Sequence, residues 1–108
     1  MDDEVRLREA VQRLVSAFAP QRVVLFGSRA RGDARADSDY DIAVIAESDL
    51  PWYTRETQAC RALRGLGLAV EVVVLTPAEC DDESAIPGSL AWRLPREGKV
   101  LYDAEVAA

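Results

Sequence analysis

Asp39 and Asp41 stand two residues apart at the head of an apolar stretch, DIAVI, that reads as a strand. A strand alternates its side chains, so residues two apart project from one face. Two carboxylates held side by side repel, and a divalent cation relieves that repulsion. Taken alone, D-x-D is common and more often marks a solvated strand end of turn-favouring residues. Glu71 adds weight, because it lies inside AVEVVVL with apolar neighbours on both sides. An unpaired charge buried in such a strand costs several kcal/mol, so Glu71 is expected to pair with an arginine, take up a proton or bind a metal. If DIAVI and AVEVVVL are neighbours in one sheet, Asp39, Asp41 and Glu71 share a face. Three carboxylates there make a site for one or two Mg2+.

Gly27-Ser28 follows directly on another apolar run, RVVLF, and ten residues separate it from Asp39. Glycine allows a sharp bend out of a strand and a close approach of ligand to backbone. The amides that follow, at the start of a helical turn, can hold a phosphate. The Ser28 hydroxyl can donate to a phosphate oxygen, and Arg29 and Arg31 can neutralise it. A lone Gly-Ser turn is usually structural. A strand, Gly-Ser, ten residues and D-x-D heading the next strand is a far more specific combination.

Other chemistries are excluded by composition. The 108 residues contain no histidine, which removes imidazole bases, His-containing triads and His zinc ligands. Cys60 and Cys80 are too few for a disulfide framework or a zinc site and are expected as reduced thiols near the core. The net charge of −6 argues against passive binding to nucleic-acid backbones. No apolar run approaches the ~20 residues of a membrane span. The acidic, amphipathic opening MDDEVRLREA lacks the basic and apolar regions of a signal peptide, so a cytoplasmic protein is expected.

The elements that must position these residues are legible from periodicity. Asp2 or Asp3 caps a helix whose stripe is Leu7, Ala10, Val11, Leu14, Val15 and Phe18, ending before Pro20. Arg22–Phe26 and Asp41–Ile45 read as strands. A second helix is expected over Thr54–Leu66, with Gly65 and Gly67 turning the chain after it. Ala69–Leu75 is apolar on both faces and is expected as a covered central strand. Thr76-Pro77 opens a short helical turn, Ser89–Arg96 forms a short helix, and Lys99–Tyr102 a last strand. Trp92, beside Leu90 and Leu94, is expected in the core. The fold class is α+β: one small mixed sheet with helices packed against it, in a single domain over residues 1–108.

With these residues in view, GSRARGDARADSDYDIAVI resembles the signature of the DNA polymerase beta-like nucleotidyltransferase superfamily. More narrowly it is similar to the minimal nucleotidyltransferases, the MNT group. VEVVVLTPAE resembles the strand that carries the family's third acid, and EGKVLYD its closing strand, so the likeness runs from about Arg22 to Asp103. The third acid is usually Asp in that family, and here it is Glu71.

The resemblance implies two Mg2+ ions bridging Asp39, Asp41 and the triphosphate of ATP. Glu71 would hold the ion nearer the nucleophile and help deprotonate an acceptor hydroxyl. Gly27, Ser28, the turn amides and Arg29 or Arg31 would steady the β- and γ-phosphates. In-line attack on the α-phosphorus would transfer AMP and release pyrophosphate, which positioning and charge neutralisation suffice to promote.

Members of this size resemble the antitoxin half of HEPN–MNT toxin–antitoxin pairs, which implies a hetero-oligomer with a HEPN-domain ribonuclease and AMP transfer to its tyrosine hydroxyl. Two alternatives share the fold: neutralisation of a HEPN partner by occlusion with little catalysis, and transfer to a small-molecule hydroxyl. Pro51-Trp52-Tyr53 suits a partner interface, a stacked nucleobase, or packing over the second helix.

Overall fold

Asp2 caps the first helix, α1 (Asp3–Phe18): its carboxylate accepts the Val5 amide at 2.9 Å. Asp3 and Glu4 fill the first turn, where free amides favour negative charge. The helix ends at Ala19 in the left-handed region, φ 45°, ahead of Pro20. Ala10 and Leu14 of its apolar stripe are wholly buried. The computed structural model describes residues 2–107.

Four strands form one sheet in the order β3-β2-β1-β4. These are β1 (Arg22–Phe26), β2 (Tyr40–Ile45), β3 (Val70–Leu75) and β4 (Lys99–Asp103). β1 runs antiparallel to β2 and β4, while β2 and β3 are parallel. Strand alternation then sorts the side chains. Val23, Leu25, Ile42, Val44 and Val74 pack on one face with Leu14 of α1 and Ala59 of α3 (Trp52–Ala62). Val24, Ala43 and Ile45 pack on the other with Leu94 of α5 (Leu90–Glu97), joined by Phe26, Leu75 and Cys80. The result is three layers, helix, sheet and helix. A one-turn helix, α2 (Ser28–Arg31), follows β1 directly.

Arg55 ties the β3 side together. Its guanidinium, nearly buried, donates to both carboxylate oxygens of Glu79 at 2.7 and 3.3 Å and to the carbonyls of Leu50 and Val74. Glu79 also closes a capping box with Thr76 at the start of α4 (Pro77–Glu83).

The α+β class with a mixed sheet is therefore as expected, but several details differ. β3 is an edge strand rather than a central one, paired only with β2. Apolar residues on both faces report helices above and below a strand, not a neighbour on each side, so composition could not separate the cases. The second helix starts at Trp52, with Pro51 as N-cap, and ends at Ala62. Leu66 is buried beyond its end. Cys60 is exposed on α3, and only Cys80 reaches the core. Trp92 is half-buried outside both clusters, with the Arg96 guanidinium 4.1 Å from its ring. A terminal turn, α6 (Ala104–Ala107), had no signal in the sequence. Among the described residues no helix is long and apolar enough to cross a membrane.

Candidate functional site

The chain leaves β1 at Gly27 with φ 72° and ψ −157°, a conformation open essentially to glycine alone. A β-carbon there would run into Oδ2 of Asp41. The Gly27 carbonyl accepts the Ala30 and Arg31 amides, both at 3.1 Å, which closes the turn of α2. The leading amides of that turn have no helical acceptor ahead of them. Ser28 is half-buried at its start.

Asp41 projects from the face that carries Ala43 and Ile45, and Asp39 lies two residues before it. Asp41 is half-buried and Asp39 exposed. Burial pushes the Asp41 carboxyl above its ordinary value, and the charge of Asp39 pushes it the same way. Arg31 and Arg93 pull it back. The two carboxylates are thus near enough to repel, as their spacing predicts.

Glu71 is opposite Asp41 in the parallel register of β2 and β3. Val72 and Val74 belong to the α1–α3 side, so Glu71 projects to the same side as Asp41. Its environment differs from the expectation. As a residue near the start of an edge strand Glu71 is exposed, so burial does not force it to find a partner. Solvent reaches its carboxylate, whose charge therefore needs no buried partner. Among the described residues no three His, Cys, Asp or Glu side chains are close enough to hold a metal ion together. The backbone aligns Glu71 with Asp41, while the side chains do not converge into a three-carboxylate cage.

The two arginines of α2 have different surroundings. Arg29 donates to the carbonyls of Ala36 and Ser38 and lies 4.4 Å from the centre of the Tyr40 ring. It holds the loop that carries Asp39 against the sheet. Arg31 is more open, 3.4 Å from Asp33 and 3.9 Å from Glu97.

Arg93 and Glu97, on α5, are site residues that the sequence did not reveal. The Arg93 guanidinium lies 5.9 Å from the centre of the Phe26 ring, and Phe26 is the β1 partner of Asp41. Its Nε is 3.7 Å from Glu97, whose other oxygen faces Arg31. Only the packing of α5 on the sheet brings these residues to Asp41. The helical spacing of Arg93 and Glu97 was the one available signal, and it describes any exposed helix face equally well.

The chain is similar to known proteins along most of its length. The family profile described as nucleotidyltransferase domain matches residues 5–91. A Methanocaldococcus jannaschii protein named "putative protein adenylyltransferase" is 28% identical over 108 residues, spanning 94% of this chain and 100% of the relative. The crystal structure of a "putative nucleotidyltransferase" from Sulfolobus solfataricus superposes with a TM-score of 0.68 at 26% identity. That match covers 94% of this chain and 80% of the other. A structure described as the toxin-antitoxin with AMP-PNP shares the fold, with a TM-score of 0.60 at 23% identity over 93% of this chain and 76% of that one.

Proposed function

The chain belongs to the nucleotidyltransferase domain family, and on that premise we propose that it transfers AMP from ATP to a hydroxyl of a partner protein. The observation that carries this reading is the placement of Asp39 and Asp41 beside the Gly27-Ser28 turn, with the Asp41 carboxylate over Gly27. The relative named as a protein adenylyltransferase supports a protein acceptor. The toxin-antitoxin neighbour supports a toxin as that partner, and the MNT resemblance of the sequence supports a HEPN-domain toxin with a tyrosine acceptor.

The donor set fits Mg2+: hard carboxylate oxygens, two of which raise each other's energy when no cation is near. Asp39 and Asp41 would hold the metal with Glu71 beside them, and the metal would neutralise the triphosphate and favour the hydroxylate. The chain's own groups do the rest. The turn amides, Ser28 and Arg31 bind the β- and γ-phosphates. Arg29 pins the loop so that Asp39 stays beside Asp41. Glu71, exposed and in register with Asp41, would take the acceptor's proton. The acceptor oxygen bonds to the α-phosphorus as the bond to the departing pyrophosphate breaks.

Trp52 and Tyr53 are exposed side by side and suit a protein partner. The test is the intact mass of the protein encoded beside this one after incubation with this chain, ATP and Mg2+. A gain in whole AMP units, absent with an Asp39→Asn, Asp41→Asn double variant, is the expected result. A stable complex with no mass gain, formed equally by the variant, would leave an occluding partner instead.

A further inference from the structure

Arg93 carries features that its place on a helix does not explain. Its Nε is buried and has no hydrogen-bond partner. The contact with Glu97 is 3.7 Å, within ion-pair range but beyond a hydrogen bond. A buried donor without an acceptor is uncommon and costs about 1–3 kcal/mol. The rest of the side chain is not sealed off, being 39% exposed. Its guanidinium is held over Phe26, and Phe26 pairs with Asp41, so it faces the carboxylate site from the α5 side. Arg31 approaches from α2, and Glu97 stands between the two arginines at 3.7 and 3.9 Å. One carboxylate is thereby shared by two guanidinium groups, neither of them in close bidentate contact. Arg31 has a second acidic neighbour in Asp33, whereas Arg93 has only Glu97 within ion-pair distance among the described residues.

We propose that Arg93 and Arg31 form a guanidinium pair that binds the polyphosphate of the nucleotide, with Glu97 as the competing carboxylate that occupies both arginines until the anion displaces it. This rests on the nucleotidyltransferase reading and adds a phosphate-binding residue to it. Arg93 lies beyond the matched stretch of residues 5–91, so family membership does not assign it. A phosphate placed between α2 and α5 would meet the accessible part of the Arg93 side chain, whose buried Nε has no acceptor to hold it elsewhere. The planar fork of each arginine suits two phosphate oxygens at once. The pair would act on the β- and γ-phosphates, which are released as pyrophosphate, and not on the AMP moiety.

Equilibrium binding by calorimetry tests this, using the full chain with Mg2+ and two probes, a non-hydrolysable α,β-methylene ATP and AMP. Arg93→Gln is expected to weaken binding of the triphosphate analogue by about tenfold or more, as loss of a charge-assisted contact does, and to leave AMP affinity unchanged. Equal triphosphate affinity in wild type and variant, or an equal loss for AMP, overturns the proposal. No binding of either probe to the wild-type chain overturns the nucleotidyltransferase reading and this one with it. Because Arg93 packs on Phe26, Glu97→Gln serves as a second variant that leaves both arginines in place. It is expected to tighten triphosphate binding, since the competing carboxylate is gone. Unchanged or weaker binding in that variant counts against the guanidinium pair even if Arg93→Gln fails to fold.

Discussion

The carboxylate of Asp41 lies directly over the α-carbon of Gly27, where any β-carbon would collide with Oδ2. The bend that ends β1 and the acid that opens β2 are therefore one structural unit. Gly27→Ala is expected to cost about 1–3 kcal/mol from the positive φ and to displace Asp41 as well. Urea unfolding measures the first effect. Activity should fall by at least about a hundredfold, since an ångström of misplacement has that effect on transfer chemistry. Near-normal activity in a destabilised variant would show that Asp41 need not hold this position.

Asp41 titrates above its ordinary value because it is partly buried beside Asp39. A raised value means that the fold prefers the protonated acid. The ionised form thus costs stability, and the fold weakens as pH climbs from the ordinary carboxylate value of 3.8 through the raised one. Asp41→Asn should therefore melt higher than wild type at pH 7 without Mg2+, and the gap should close at pH below 3.8. Added Mg2+ should stabilise wild type but not the variant. An Asn variant that melts lower at pH 7 would contradict this.

Glu71 is exposed on an edge strand, aligned with Asp41. Glu71→Gln is expected to change stability by no more than about 0.5 kcal/mol, as exposed substitutions do. In the transfer assay it should reduce turnover by about 10²–10⁴, the range for a positioned proton acceptor. Glu71→Asp, the shorter acid, is expected between the two. Full turnover with Gln would remove Glu71 from the reaction.

Glu79→Ala should behave oppositely. It leaves the Arg55 guanidinium buried without its carboxylate, between α3, β3 and α4. A loss of about 1–3 kcal/mol is expected, the scale of a hydrogen bond to a charged group discounted for the partly exposed Glu79. The hydrogen bond from Arg55, then that from the Thr76 amide, holds Glu79 below its ordinary value of 4.5. That stabilisation is complete above pH 4.5 and disappears as pH falls through the lowered value. The stability gap between wild type and variant should therefore narrow on acidification. A gap independent of pH would mean that packing, not charge, holds this corner.

Local features are already legible in the order of the residues. Asp39 and Asp41 share a face because strand alternation requires it, and Gly27-Ser28 must turn because it follows RVVLF. The helices at Asp3–Phe18 and Leu90–Glu97 follow from caps and apolar spacing. The apolar neighbours of Glu71 predict burial, yet it is exposed, because an edge strand shows the same composition as a central one. The lateral alignment of Glu71 with Asp41 depends on the β2–β3 register, which residues far apart in the chain set jointly. Arg93 and Glu97 reach the site only because Leu90 and Leu94 seat α5 on Val24, Ala43 and Ile45. Short-range sterics and periodicity act within a few residues and leave their mark in the chain's order. Electrostatic contact across the sheet depends on distances in space, and only packing sets those.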